Sequence, residues 1–198
     1  IPRIDLVVCN LYPFEETAKS GADLDALIEQ IDIGGVTLLR AAAKNYRHVG
    51  LLLDPGDYDE ALRDLETAGE LSLPLRQRTA LKAFARTAAY DALIQEALSG
   101  VLGSPEPEEE APLRVLPLRR AQSLRYGENP HQRASLWLPP LGEPPFEVLS
   151  GKELSYNNLL DLDTVLRGAA LYQDSCACVI VKHTTPCGIA SGSDPEEA

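Results

Sequence analysis

Residues 100–112, GVLGSPEPEEEAP, interrupt the chain with Gly, Pro and a run of Glu, a composition that cannot bury a core. Folded structure must therefore form on either side. We expect one domain over 1–100, a linker over 101–113 and a second domain over 114–198. The Glu run reads as a solvated acidic connector rather than a metal site. A chain of 198 residues has room for one large or two small domains, and 44% apolar residues is too many for a disordered chain. No apolar run approaches the roughly 18–20 residues that cross a bilayer, and no basic-then-apolar signal opens the sequence. A cytoplasmic protein without a membrane partner is expected. Asp and Glu number 30 against 18 Lys and Arg, a formal charge of −12. That argues against nucleic acid as a partner, since such binding rests on basic contacts to phosphate. A local basic pocket for one small anion remains allowed. The chain has no Met and starts at Ile1, so it is expected to be a piece of something longer.

In the first part, 4–9 (IDLVVC) is a short apolar run suited to a buried parallel strand. Pro13 stops its ladder. Ligands of open α/β sheets bind beyond the carboxyl ends of strands, where Asn10 and Tyr12 would stand. Leu24, Leu27, Ile28 and Ile31 follow helical spacing. Gly34-Gly35 interrupts, and an Ala-rich, largely buried helix is expected over 36–44. A second buried strand, 49–53, closes at Asp54-Pro55-Gly56. Helices come next over 58–68 and 75–98, the latter with Leu81, Phe84, Ala85, Ala88 and Ala92 on one stripe.

After the linker, 115–118 and 134–138 read as strands flanking a polar loop, LRYGENPH, over 124–131. Asn157 or Asn158 is expected to cap a helix whose Leu162, Val165, Leu166 and Ala169 share a face. A buried strand over 177–181 leads into KHTTPCG over 182–188. Ser193-Asp194-Pro195-Glu196-Glu197 has the composition of a helix start. Cys9, Cys176, Cys178 and Cys187 lack CxxC spacing and read as buried reduced thiols.

Three constellations could carry chemistry. Asn10 and Tyr12 with Asp32 and Lys44 form the first. Lys44 ends an apolar helix, where a partly desolvated ammonium suits proton donation or oxyanion stabilisation. The competing reading has Lys44 complementing a helix C-terminus and Asp32 capping the next helix. Lys182-His183 form the second. A His can take a proton near neutral pH while an adjacent Lys offsets negative charge; alternatively the His is a satisfied structural residue. In the third, Arg125-Tyr126 suit a phosphate-bearing ligand, or else simply a surface turn with Gly127 and Pro130. Pro186-Cys187-Gly188 raises a zinc question, because zinc deaminases use His-x-Glu and Pro-Cys-x-x-Cys. Here His183 is followed by Thr184-Thr185 and no Cys follows Cys187, so a metal site is rejected.

Five strings, VVCNLYPFEET from Val7, EQIDIGGVTLLRAAAKN from Glu29, LRYGENPHQ from Leu124, GKELSYNNLLDLD from Gly151 and VKHTTPCGIASG from Val181, span both halves. They resemble, in order, the bifunctional family of purine biosynthesis that joins phosphoribosylaminoimidazole carboxamide (AICAR) formyltransferase to IMP cyclohydrolase. The resemblance implies an α/β fold. The C-terminal part of a methylglyoxal-synthase-like parallel-sheet domain, with a helical extension, would join the first part of a cytidine-deaminase-like α/β domain without catalytic zinc. It implies the last two steps of IMP synthesis: formyl transfer from 10-formyltetrahydrofolate, a co-substrate, to AICAR, then cyclisation of formyl-AICAR to IMP with loss of water.

By the same resemblance, Lys44 is the cyclohydrolase acid/base group assisted by Tyr12 and Asp32, and Cys9, Asn10 and Ile33 line its nucleotide pocket. Arg125 and Tyr126 bind AICAR, Lys182 stabilises the transfer transition state, and His183 is the proton acceptor. A homodimer is implied. The family's N-terminal phosphate loops would lie before position 1 and its folate-binding segments after position 198. Residues 1–198 alone are therefore expected to be inactive. The alternative is a catalytically incomplete nucleotide-binding fragment or one half of a split enzyme.

Overall fold

The computed structural model describes residues 3–103, 115–172 and 174–198. Most of the expected linker, 104–113, lies outside them. The described residues fall into two compact units, one within Ile1–Pro117 together with Pro139–Leu141, the other Leu118–Leu138 with Gly142–Ala198.

In the first unit, β1 (Leu6–Val8) pairs in parallel with β2 (Gly50–Leu52), Val7 opposite Leu51. β2 is buried throughout, as its apolar run implies. β1 is not: Val7 packs against a core of Leu39, Ala42, Ala43, Leu51, Leu53, Ala80 and Ala83, while Leu6 and Val8 are exposed. Strand alternation explains the difference, because one face of β1 is covered and the other is not.

Two short helices, α1 (Phe14–Lys19) and α2 (Leu24–Glu29), lead to α3 (Gly34–Lys44). The glycine pair expected to interrupt the chain instead forms the first turn of α3. The Asp32 carboxylate accepts from the Gly35 N–H at 2.6 Å. A Cβ on Gly35 would stand 2.9 Å from the Asp32 Cγ, so glycine is needed for the carboxylate to reach that N–H. α3 buries only Gly35, Leu39, Ala42 and Ala43. Leu38 and Lys44 are exposed, so α3 is amphipathic rather than largely buried, and the expected desolvation of Lys44 is not realised.

A 3₁₀ turn (Pro55–Asp57), α4 (Tyr58–Ala68) and α5 (Leu73–Leu102) complete the unit. α4 has the expected bounds; α5 is longer than expected at both ends. Of the expected stripe, Leu81, Phe84, Ala85 and Ala88 are exposed and only Ala92 is buried. Leu81 is 73% exposed, whereas Leu75, Thr79, Ala83, Thr87, Tyr90 and Leu93 face inward. The two threonines can do so because each hydroxyl bonds back to the helix, Thr79 to the Leu75 carbonyl at 3.0 Å and Thr87 to that of Phe84 at 3.3 Å. Tyr90 meets fully buried Phe14 edge-on with centroids 6.0 Å apart, a burial worth about 1.5–3 kcal/mol for the Phe alone.

In the second unit, β3 (Arg119–Leu124) and β4 (Ala134–Leu138) form an antiparallel pair, with Arg120 opposite Trp137 and Leu124 opposite Ala134. The first strand expected here, 115–118, has no regular structure, and Leu116 is exposed. The polar RRAQSL takes the ladder because a pair with an open face needs few apolar side chains, and of β3 only Leu124 is buried.

The helix α6 (Tyr156–Ala169) is capped by Ser155, not by Asn157 or Asn158. Asn158 acts three residues in, its side chain accepting from the Ser155 N–H at 3.0 Å while the Ser155 hydroxyl accepts from the Asn158 N–H. This reciprocal box satisfies two N–H groups at once. Gly168 brings α6 close to β5 (Cys176–Lys182), since a Cβ there would meet Val179 at 3.1 Å.

β5 does not end in an open loop. It turns back over two residues into β6 (Thr185–Gly192), with Lys182 opposite Thr185. Nor is β5 buried: Ile180 is 61% exposed, and Cys178 is exposed. Alternate residues Ala177, Val179 and Val181 are half-buried, as expected of a hairpin with one covered face. All four cysteines are free. At 193–197, Asp194 accepts from the N–H groups of Glu196 and Glu197, making a single turn.

Tyr90→Phe should test how the first unit is fastened. The Tyr90 hydroxyl accepts from the Asp32 N–H at 2.8 Å and donates to the Gln30 carbonyl at 3.1 Å. Its removal strands both groups and should cost about 1–3 kcal/mol in denaturant unfolding of the chain; an unchanged midpoint would contradict the role.

Candidate functional site

Two clusters form, one in each unit. In the first, Cys9 extends the β1 ladder by donating its N–H to the Leu52 carbonyl at 3.0 Å. The chain then leaves the sheet, and Asn10 is braced from two sides. Its side-chain N–H donates to the Leu53 carbonyl at 3.2 Å, and its oxygen accepts from the Tyr58 hydroxyl at 3.1 Å. Tyr58, at the start of α4, is a brace that no sequence motif singled out. Asn10 thus stands at the carboxyl ends of both parallel strands.

Asp32 joins this cluster. It is 8% exposed, with one carboxylate oxygen on the Gly35 N–H and the other accepting from the Tyr12 N–H at 3.4 Å. The capping reading of Asp32 is therefore realised, and the cap also holds the Tyr12 segment. Burial, then the Asp32 charge, pushes the Cys9 thiol up, away from the thiolate form that a nucleophile needs. Burial, then the Asp32 and Asp91 charges, likewise raises the Tyr90 phenol, which stays protonated as a donor. The Tyr12 ring and Ile33 are exposed beside the start of α3.

Lys44 is not brought to them. It ends α3 while Asp32 precedes its first turn, and ten residues of α-helix put its Cα roughly 15 Å along the axis from that of Gly34.

The second cluster is organised by α6. The Arg125 N–H donates to the Leu154 carbonyl at 2.8 Å, and the Tyr156 N–H to the Tyr126 carbonyl at 3.1 Å. The Asn157 side chain donates to the Glu128 carbonyl at 3.1 Å. The loop 124–131 is therefore laid along the cap of α6. Within it the Arg125 guanidinium lies 4.9 Å from the Tyr126 ring centroid and donates to its hydroxyl at 3.2 Å. Ser155, then Arg125, holds the Tyr126 phenol below its ordinary value.

Further along the same helix, Asp161 accepts from the Thr184 N–H at 2.7 Å. Thr184 and His183 form the β5–β6 turn, and Lys182 is the last residue of β5. Tyr156 and Asp161 are five residues apart, about 8 Å along a helix. One helix thus fastens both sequence-predicted pairs, Arg125-Tyr126 and Lys182-His183. Asn157, expected as a possible cap, holds the distant Glu128 carbonyl instead, and Asp161 was missed because its partner is the backbone of a distant segment. The spacing Ser-x-x-Asn before an apolar run is the signal that could have found Ser155.

Among the described residues no three His, Cys, Asp or Glu side chains come together as a metal site requires. No helix among them is long and apolar enough to cross a membrane.

Ser155→Ala should loosen this cluster. Ser155 is 1% exposed, and loss of its cap should cost about 1 kcal/mol. That loss should show as a lower midpoint in denaturant unfolding of the chain; an unchanged midpoint would contradict the capping role.

The AICARFT/IMPCHase bienzyme family model matches residues 42–198, and the MGS-like domain model matches residues 2–37. The bifunctional purine biosynthesis protein PurH of Persephonella marina is 47% identical over 205 residues, covering 100% of this chain and 39% of the relative. PurH of Myxococcus xanthus is 49% identical over 195 residues, covering 96% and 37%. The chain thus spans less than two-fifths of the length of these relatives. A crystal structure of ForH is 43% identical, with a TM-score of 0.41, over 50% of this chain and 52% of that one. With an MGS-like match before position 38 and the bienzyme model matched over most of the chain, the protein belongs to the AICARFT/IMPCHase bienzyme family.

Proposed function

We propose that this chain contributes residues to two nucleotide sites of IMP synthesis, one for AICAR formyl transfer and one for cyclisation of formyl-AICAR. The observation that carries the reading is the fastening of Arg125-Tyr126 and of the Lys182-His183 turn to one helix. Arg125 supplies a planar donor fork for the AICAR phosphate, and Tyr126 supplies a ring and a hydroxyl beside it. Lys182 and His183 are both exposed, as groups that meet a substrate must be. His183 accepts the proton lost by the 5-amino group as that nitrogen bonds to the formyl carbon of the donor. Lys182 offsets the negative charge that develops on the tetrahedral oxygen, and collapse of this adduct breaks the bond from the formyl carbon to the folate nitrogen, which takes up a proton as it leaves. The formyl donor is 10-formyltetrahydrofolate, in a cytoplasmic homodimer, on the strength of the family motifs.

In the first unit, Cys9, Asn10 and Ile33 form the nucleotide wall, and Tyr12, held through its N–H by Asp32, polarises the formyl oxygen. Asp32 relays a proton as the carboxamide nitrogen attacks and water leaves. Lys44, at the far end of α3 from Asp32, is given the acid/base role by its place in the family motif alone. The braced Asn10 and the capped Asp32 support this reading, because preformed groups at strand ends bind ligands without further ordering cost.

Calorimetric titration of the chain with each nucleotide tests the proposal. AICAR should bind the second unit, and Arg125→Ala should weaken it by a factor of about ten or more, the worth of a charge-assisted phosphate contact. IMP affinity should be unaffected by that change, while Asn10→Ala should weaken IMP and leave AICAR alone. Equal AICAR affinity with and without Arg125, or binding of neither nucleotide, would overturn it.

A further inference from the structure

The β5–β6 turn holds His183 at φ 52° and Thr184 at φ 62°, the two non-glycine residues with positive φ among those described. Two-residue hairpin turns of this kind favour Asn, Asp or Gly. For a β-branched Thr the left-handed region is a genuine outlier. Such a conformation persists only where the surroundings over-determine it.

The local restraints are few. The Thr184 hydroxyl donates to the His183 carbonyl at 2.6 Å, and the Thr185 hydroxyl reaches the same oxygen at 3.4 Å. Both lie within the hairpin. The third restraint comes from outside. Thr184 sits in the turn, outside the β5–β6 register, and its N–H donates to Asp161 Oδ1 at 2.7 Å. Asp161 belongs to α6, whose capped start carries the Arg125-Tyr126 loop.

We propose that Asp161 is a positioning residue for Lys182 and His183: its carboxylate clamps the left-handed turn to α6 and so sets the His183 imidazole in register with the Arg125-Tyr126 loop. The functional sense of this clamp rests on the formyl-transfer reading above; the clamp itself does not. Asp161 touches neither His183 nor Lys182 through a side-chain hydrogen bond. It acts through the Thr184 backbone.

Amide and imidazole NMR of the 198-residue chain tests the clamp without any ligand. In the unaltered chain the Thr184 amide should exchange slowly. Asp161→Ala should speed that exchange about tenfold or more and move the His183 ring signals. Asp161→Asn, which keeps an acceptor, should fall between the two and guards against a variant that fails to fold. Adding Thr184→Gly to Asp161→Ala should return the His183 ring signals to their original positions, because glycine takes positive φ without a brace. A merely structural role would not be rescued in this way. An unchanged Thr184 exchange or unmoved His183 ring signals in Asp161→Ala, or a failure of the glycine to rescue, would overturn the proposal. If AICAR does not bind while these signals behave as expected, the formyl-transfer reading fails and the clamp stands.

Discussion

Backbone N–H groups left over at turns and helix starts must find an acceptor, and both clusters of this protein are built around the side chains that provide one. In the first unit Asp32 is that side chain. It takes the Gly35 and Tyr12 N–H groups, while its own N–H is held by Tyr90. One buried aspartate, through its carboxylate and its own N–H, therefore joins the segment after β1, the start of α3 and the middle of α5. In the second unit the duty is divided along α6, Ser155 and Asn158 closing its first turn and Asp161 taking the Thr184 N–H. Apolar packing supplies most of the burial energy, but these acceptors decide where the polar residues of each cluster stand.

The order of the elements and their types could be read from local pattern where that pattern was strong. β2 is a continuous apolar run and is buried; α4 is amphipathic, with its bounds as expected. Asn10 at a strand end could be read from the break at Pro13. The misses share a physical cause. Leu81 and Phe84 looked like a core stripe because threonine is counted as polar, yet Thr79 and Thr87 satisfy themselves on the helix and turn inward. The run 115–118 looked like a strand because it is apolar, but a ladder needs a partner, and β4 pairs with the polar residues that come after it.

The sites were legible as motifs and illegible as geometry. Arg125-Tyr126 and Lys182-His183 stand out as residue types, yet no spacing in the sequence reveals that α6 holds both. Asp161 looks like one acid among many until the Thr184 N–H is found against it. For Asp32 the same carboxylate that takes the Gly35 N–H also holds the Tyr12 N–H, so capping leaves the proposed role open to it. Lys44 shows the reverse: the motif resemblance implies a role beside Asp32, while the length of α3 separates the two.

The proposed AICAR site brings two sequence-distant pairs together on α6, and a crystal structure of the chain with AICAR tests it most directly. The expected result is a single AICAR molecule with its phosphate on Arg125 and its 5-amino nitrogen within hydrogen-bond reach of His183. An AICAR molecule bound to one pair and beyond reach of the other, or seated elsewhere on the chain, would contradict it.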